Sequence, residues 1–425
     1  MFDALTARGI SWFWKVPSLR ILNVIAQKPD GTGSGTFLAQ TVASQVELGY
    51  ETAVICGIDD GDQTSALPGQ TAVFPVRFMT PELPFHVCGM SDEMPYSATR
   101  YRDLTPVMET RFEAAFLAAL ERALADFAPD VVLCHHLYLL SSIVREQIKG
   151  IPVAVICHST DLRQMATHDL ERPRIISAMR CADAVFCLHR AQAEEVVRVY
   201  GIDPLRVHVT GTGYNSCVFN QEGPRVPRQA GRICFVGKVS FKKGVESLLS
   251  AMELISPAAI GGRSLELVLV GGHDPASQDY RRIAAKVGAA TAWPVRMAGR
   301  VPTEELVRIY RSSDVFVLPS FYEGLPLVGI EALACGDKVV MTALPGVREG
   351  MGDVLPGNPI QWVEPPAMLD VDTPDPGSLP AFERRLADTI VHSLVTPQPS
   401  FDVTHASWDK VVSRMLMCLR EADIA

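Results

Sequence analysis

The sequence predicts an α/β protein made of two Rossmann-like doubly wound parallel-sheet domains that face each other across a cleft. Three observations predict it. Short apolar runs alternate with helical patterns along most of the chain. Those runs are continuous, as expected of strands buried on both faces. A segment rich in Gly, Pro and Arg then divides them into two series. With 425 residues, 48% of them hydrophobic, the chain is long enough to form two such cores.

The first series has the βαβ order that produces a parallel sheet. Helical patterns lie between several of its strands, the clearest being at 37–49 and 111–127. The predicted strands are 20–27, 51–57, 130–136, 151–158, 183–189 and 206–211.

The second series follows the linker-like segment 213–232. A Pro-rich connector at 355–380 and an amphipathic helix at 407–422 come after it. We therefore predict an N-terminal domain at 1–216, a C-terminal domain at 217–400, and a C-terminal helix at 401–425 that packs back onto the first domain. The predicted strands of the second series are 233–237, 265–272, 295–299, 314–320 and 337–343.

Composition excludes several classes of protein. A net charge of −9 argues against binding to nucleic acid or to an anionic membrane. No apolar run reaches the roughly 18 residues of a spanning helix, and the N-terminus does not resemble a signal peptide. Ten scattered cysteines without a CxxC pair indicate reduced thiols and a cytoplasmic location. The cluster Trp12-Phe13-Trp14 leaves peripheral membrane contact open, the alternative being that it folds back onto the domain.

The most informative segment is PSFYEGLPLVGIEALACG at 319–336. A strand ends there, and a helix is predicted to begin near Pro326. Free backbone N–H groups at such a helix start bind phosphate, and Gly324 would let a phosphate approach the backbone. Glu323 and Glu331 are candidate ligands for sugar hydroxyls. The alternative is that Glu323 is a helix cap and Glu331 a solvated side chain.

A second candidate is the basic loop GKVSFKKG at 237–244, which follows the first strand of the second series. Lys238, Lys242 and Lys243 at the end of a strand make an anion site. The alternative is a solvated basic loop. Because strand-end loops of one parallel sheet converge, we expect these lysines near the helix start at 324–327.

These segments resemble the retaining family 4 transferases of the glycosyltransferase-B fold. Glu323 and Glu331 match that family's pattern of two glutamates separated by seven residues. Lys243 matches its lysine, while Lys238 stands where arginine is usual and lacks the bidentate fork. The resemblance extends over most of the chain, and the further segments that carry it are 29–55, 157–163, 211–219 and 298–320.

The resemblance implies that the N-terminal domain binds the acceptor and that the C-terminal domain binds the donor, a nucleoside-diphosphate sugar, with a UDP-sugar favoured. Its diphosphate would lie between Lys238, Lys243 and the amides around Gly324, Leu325 and Leu327. Glu331 would hold the ribose, Glu323 the transferred sugar, and His158 a sugar hydroxyl. Further residues assigned to donor binding are Val301, Gly33 and Gly35. No cofactor is expected, and no metal, because two lysines and a helix start could stabilise the charge of the leaving diphosphate. The acidic pairs Asp60/Asp62 and Asp370/Asp372 could suggest a metal site, but they are interpreted as surface turns outside the site.

The sequence thus predicts a retaining, metal-independent glycosyltransferase. The expected acceptor classes are a glycan, a lipid-linked glycan and a small metabolite. Acceptor specificity is expected to depend on first-domain loops that include 84–104, the alternative being that this segment is an ordinary surface loop. The alternatives are a non-catalytic nucleotide-sugar-binding protein, or an epimerase or phosphorylase on the same fold.

Overall fold

The computed structural model describes residues 19–92, 94–222, 231–272, 277–370, 372–397 and 400–421. Within these ranges the chain forms the two parallel α/β sheets that the sequence predicts. The Trp12-Phe13-Trp14 cluster lies outside the described residues.

The first sheet is built by the first half of the chain, with helices between most of its strands. Thr32 caps α1 by accepting a hydrogen bond from Gly35 N, and Thr105 caps α2 with proline as the first helical residue, both common ways to begin a helix. The elements are β1 (Arg20–Ile25), α1 (Gly33–Glu47), β2 (Glu51–Asp59), β3 (Ala72–Phe78), β4 (Cys88–Gly89), β5 (Thr99–Arg100), α2 (Pro106–Asp126), β6 (Val131–His135), α3 (Leu139–Gln147), β7 (Val153–Ile156), α4 (Thr160–Thr167), α5 (Arg172–Met179), β8 (Ala184–Cys187), α6 (Arg190–Tyr200) and β9 (Val207–Val209).

The second sheet repeats this order in the second half of the chain. Its strands are fully or almost fully apolar, and most of their side chains are buried in one large core. The elements are β10 (Arg232–Val236), α7 (Val245–Leu254), β11 (Glu266–Val270), α8 (Gln278–Gly288), β12 (Val295–Gly299), α9 (Thr303–Ser312), β13 (Val315–Leu318), α10 (Leu327–Ala334), β14 (Lys338–Thr342), α11 (Val347–Val354), β15 (Gln361–Val363), α12 (Leu379–Val395) and α13 (Trp408–Glu421).

Both sheets are doubly wound. The first has the strand order β3-β2-β1-β6-β7-β8-β9, and the second has the order β12-β11-β10-β13-β14-β15. In each, the chain starts in the middle of the sheet and reverses direction beside its first strand. Ligands of such sheets bind at the carboxyl ends of the strands, next to that reversal, so the loops after β1 and β10 are where a site is expected.

The chain folds into two compact units. Unit 1 comprises 1–156, 164–184 and 419–425, and unit 2 comprises 157–163 and 185–418. The domain boundaries expected from the sequence stay a prediction.

Several elements differ from the sequence-based expectation at their ends. The first helix begins at Gly33 rather than residue 37, because the glycine-rich loop itself forms its first turn. The strands β3 and β15 were not predicted. Pro75 interrupts the apolar pattern of β3. The Pro-rich stretch around β15 likewise hides the pattern of that strand. No helix in the described part of the chain has the length and hydropathy needed to cross a bilayer.

Candidate functional site

The lysine loop and the glutamate segment meet at the carboxyl end of the second sheet. β10 and β13 pair side by side, with Ile233 opposite Val315. Beyond their ends, Phe321 N donates a hydrogen bond to Lys242 O over 2.9 Å. Gly244 has φ of +68°, and a Cβ atom there would lie 1.9 Å from Pro319 O. The two loops are therefore in backbone contact, as expected from the convergence of strand ends.

Lys243 and Glu323 form an ion pair within this contact. Lys243 Nζ lies 2.6 Å from Glu323 Oε1, and Ser320 Oγ donates to the same carboxylate oxygen over 2.7 Å. Glu323 keeps 13% of its side chain exposed and Lys243 keeps 28%, so both remain reachable from solvent. Ser320, which sequence reasoning did not single out, is buried and holds the carboxylate in place.

The helix that follows begins close to where the sequence predicts it. α10 starts at Leu327 with Pro326 as its N-cap, and its first turn carries no acidic residue. Gly324 and Leu325 are partly exposed, and no atom lies within 4 Å of the position that a Cβ of Gly324 would take. Exposed amides at a helix start attract anions. This part of the site is open to a phosphate.

Glu331 lies in the second turn of α10. Tyr310 Oη lies 3.5 Å from Glu331 Oε2 and donates to it. Tyr310 is itself buried between α9 and the sheet, with its ring against Phe219 and Phe316. Burial raises the pKa of the Glu331 carboxyl to about 7, and the Tyr310 hydrogen bond opposes that rise. Glu331 therefore changes charge near neutral pH in the unliganded protein.

The carboxyl ends of β10, β11 and β12 are connected by backbone hydrogen bonds, and a glycine lies at the end of each strand or directly after it. Gly237 N donates to Val270 O over 2.9 Å, and Gly271 N donates to Gly299 O over 2.8 Å. A Cβ at Gly271, whose φ is +144°, would lie 1.7 Å from Gly237 O. Lys238 follows the first of these turns and is exposed.

Arg300 is a cation that sequence reasoning missed. A Cβ at Gly272 would lie 2.5 Å from Arg300 Nε, so the guanidinium lies over the β11 turn. Val301 follows it and is partly exposed. In the described part of the chain, no carboxylate forms an ion pair with Lys238 or Arg300. The signal that was available is the position of Arg300 directly after a strand that ends in glycine.

Lys242 pairs with Asp372, an acidic residue that was expected to lie outside the site. Lys242 Nζ lies 2.6 Å from Asp372 Oδ2, so the acidic pair Asp370/Asp372 is not remote from the lysine loop. Asp370 Oδ1 accepts hydrogen bonds from the backbone N of Asp372 and of Thr373 and shapes a turn. No group of three His, Cys, Asp or Glu side chains suited to a metal ion occurs among the described residues.

His158 follows β7, and its backbone N donates to both carboxylate oxygens of Asp161 over 3.2 Å. Asp161 is fully buried, so it holds the backbone turn that carries the imidazole. His158 is partly exposed, yet desolvation lowers its pKa to about 3. The imidazole is therefore neutral at physiological pH and suited to hydrogen bonding rather than to carrying charge.

Gly33 and Gly35 lie at the start of α1 in unit 1. Gly33 is exposed, whereas Gly35 is buried, and a Cβ there would lie 2.8 Å from Lys28 O. Gly35 thus serves the close packing of its loop, and Gly33 is the one of the two that a ligand can reach. The roles assigned to these glycines and to the residues of unit 2 stay predictions.

Two family models match the chain. "Glycosyl transferase 4-like domain" matches residues 32–213, and "Glycosyl transferases group 1" matches residues 230–364. Together they cover most of both sheets and every residue that the sequence assigned to donor binding.

Among similar proteins, alpha-maltose-1-phosphate synthase of Mycolicibacterium smegmatis is 29% identical over 63% of this chain and 70% of that protein. D-inositol 3-phosphate glycosyltransferase of Acidothermus cellulolyticus is 27% identical over 72% of this chain and 71% of that protein.

Two solved structures share the fold. Sucrose-phosphate synthase from Thermosynechococcus elongatus has a TM-score of 0.61 and 19% identity, over 95% of this chain and 98% of that one. Anabaena HepE in complex with UDP and glucose has a TM-score of 0.59 and 13% identity, over 95% of this chain and all of that one.

Proposed function

Since this chain belongs to the group 1 family of glycosyl transferases, we propose that it transfers a sugar from a nucleoside-diphosphate sugar to a hydroxyl group, with retention of anomeric configuration. A UDP-sugar is the favoured donor, because HepE, which shares the fold, binds UDP and glucose. The observation that carries the proposal is the contact of Lys243 with Glu323 beside the open start of α10.

The lysines stabilise the leaving group in this proposal. Negative charge develops on the diphosphate as the bond to the sugar breaks, and preorganised cations and backbone amides stabilise it. Lys243 lies beside the α10 start, and Lys238 on the neighbouring turn is exposed and not engaged by a described carboxylate. These groups supply the positive charge of the step, so we propose that it needs no metal ion.

Glu331 and Glu323 position the donor. A carboxylate accepts hydrogen bonds from vicinal hydroxyls, which suits Glu331 for the ribose and Glu323 for the transferred sugar. Glu323 is fixed by Ser320 and Lys243 and therefore needs little reorganisation on binding. The neutral imidazole of His158 would bind a sugar hydroxyl.

The retaining step is proposed to proceed by attack of the acceptor on the same face from which the diphosphate leaves. Glu323 is already engaged by a lysine and a serine, which disfavours it as a nucleophile. Mass spectrometry of the enzyme during turnover tests this point. A glycosyl adduct on Glu323 would contradict it.

A thermal-shift screen of nucleotide sugars tests the donor. At a concentration about 100 times its Kd, a ligand stabilises the folded protein by about 2.7 kcal/mol, which raises Tm by several degrees. We expect UDP-sugars to do so, and Glu331→Ala to remove most of the shift.

Release of UDP separates an enzyme from a non-catalytic sensor. Catalysed release that is unaffected by EDTA supports the transferase. Tight binding without any release, with or without acceptor, would favour the binding protein, and a UDP-sugar converted to its epimer would favour the epimerase.

A further inference from the structure

The carboxyl-end edge of the first sheet in unit 1 has a charge arrangement that the proposed donor site does not use. Lys28 lies three residues beyond β1, and Asp59 ends β2. Because β1 and β2 are parallel neighbours, their loops meet at one edge. The glycine loop 31–35 follows β1 at the same edge, and a Cβ atom at Gly31 would lie 3.9 Å from Cδ1 of the Tyr96 ring.

Lys28 is held by two carboxylates. Its Nζ lies 2.7 Å from Asp62 Oδ2 and 3.1 Å from Asp59 Oδ2. The same ammonium lies 4.6 Å from the centroid of the Tyr96 ring. Burial by itself would lower the pKa of Lys28, but the hydrogen bonds to Asp62 and Asp59 outweigh it and raise that pKa. The ammonium is therefore charged and paired with both aspartates.

Asp59 is fixed from a second side. Its Oδ1 accepts a hydrogen bond from Val87 N over 3.1 Å, and its Oδ2 lies 3.1 Å from His86 Nδ1. His86, Val87 and Tyr96, three residues of the segment whose purpose the sequence left open, therefore lie at this edge. Asp62 is more exposed than Asp59, with 36% of its side chain accessible, and can reach a ligand.

Two further cations of unit 1, Arg102 and Arg172, also pair with carboxylates, whereas Arg77 on β3, which lies opposite Ile58, has no carboxylate partner among the described residues. Arg102 pairs with Asp92, and both influence the pKa of His168. Arg172 lies 2.8 Å from Asp169. Asp30 lies close enough to Tyr96 to act, with Asp59 and Asp62, on the pKa of its hydroxyl. Around the Lys28 ammonium, negative charge is therefore in excess.

The consequence concerns the acceptor. Lysine beside a glycine loop is an ordinary phosphate ligand, but here the ammonium is occupied, and a phosphate brought to it would meet two carboxylates. Like charges placed together are a means of rejecting a ligand. Carboxylate oxygens accept hydrogen bonds from hydroxyl groups without that cost.

Resting on the proposed function, we propose that the acceptor of this enzyme is a polyol or sugar without a phosphate group, bound at the unit 1 edge formed by Lys28, Asp59, Asp62 and Tyr96. Asp62 accepts a hydrogen bond from an acceptor hydroxyl. Lys28 holds the two aspartates in place and does not bind the acceptor as an anion.

The experiment compares matched acceptors that differ only by a phosphate. Glucose with glucose 6-phosphate, and inositol with inositol 3-phosphate, are offered to the full chain with UDP-glucose, and UDP release is measured. We expect kcat/KM for the phosphorylated member to be lower by at least about tenfold, corresponding to about 1.4 kcal/mol. Equal or better use of the phosphorylated member would overturn the proposal.

Asp62→Asn tests the cause. It leaves Lys28 with one carboxylate, so the discrimination against phosphate should shrink severalfold. The matched control is Glu146→Gln, because Arg174 is likewise held by two carboxylates, Glu113 and Glu146, away from this edge. An unchanged ratio in Asp62→Asn would overturn the proposed role of the network.

Calorimetry decides the matter where no member of either pair is used. Inorganic phosphate is titrated into the UDP-saturated protein. Phosphate binding that appears in Asp62→Asn but not in the unmodified chain supports the proposal. Phosphate binding by the unmodified chain that Lys28→Met abolishes, or no gain in Asp62→Asn, overturns it. Failure of UDP itself to bind would instead count against the proposed function.

Discussion

The carboxyl-end edges of the two sheets differ in how their cations pair with carboxylates, although both sheets are doubly wound. In unit 2, Lys243 shares one glutamate with a serine, and Lys238 and Arg300 are exposed. In unit 1, Lys28 is enclosed by Asp59 and Asp62 and covered by Tyr96. We propose that the first of these edges receives a diphosphate and that the second rejects a phosphate. The same fold thus supplies the location of both sites, and the pairing of charges supplies their chemistry.

The largest predicted effect concerns the close contact between Gly244 and Pro319, which fixes the lysine loop of unit 2. Gly244→Ala should destabilise the protein by about 3 kcal/mol, since it adds a left-handed residue with a side chain and overlap with Pro319 O. Urea denaturation measures this. Gly261→Ala is the matched control, because Gly261 also has φ of +68° but no atom within 4 Å, and it should cost about 1 kcal/mol. Equal losses for the two variants would refute the packing argument.

Lys243→Ala tests whether the unit 2 edge supplies the positive charge that stabilises the proposed diphosphate leaving group. Removing a preorganised stabilising group costs on the order of 10²-fold in kcat, and UDP release is the measurement. Lys242→Ala serves as control, because Lys242 pairs with Asp372 at an exposed position and such pairs contribute little. Turnover of Lys243→Ala within a few-fold of the unmodified enzyme would exclude the assigned role.

A smaller effect concerns the protonation of Glu331. Its pKa is about 7 in the folded protein, above the ordinary 4.5, so the folded state holds an extra proton between these values. The contribution of Glu331 to stability therefore falls as pH rises through that window and levels off above pH 7. Glu331→Gln should raise Tm by about 2 °C or more at pH 8 and by less at pH 5.

Differential scanning calorimetry of the two proteins at both pH values provides the test. UDP affinity should rise with pH through 7 more steeply in the unmodified chain than in Glu331→Gln, because the proposed contact with the ribose needs the carboxylate form. A Tm difference that is the same at both pH values would show that burial of this carboxyl is not the cause.

Much of the fold and part of the candidate site could be predicted from local sequence. Continuous apolar runs located β1, β2, β6, β10, β11 and β13 to within a few residues, because a strand buried on both faces has no polar side to hide the pattern. The glutamate spacing and the lysine loop indicated Glu323, Glu331 and Lys243 through their resemblance to a family. The same local signal failed for β3 and β15, where proline interrupts it.

The sequence by itself determined the doubly wound architecture, the start of α10 and the loops in which charged groups gather, since each depends on neighbours within a few residues. Only the tertiary structure decided how those charges pair. Lys243 meets Glu323 80 residues away, Lys242 meets Asp372 130 residues away, and Lys28 meets Asp59 31 residues away. Strand ends that are distant along the chain become neighbours in a parallel sheet, and the pairing made there decides which cations remain available to a ligand.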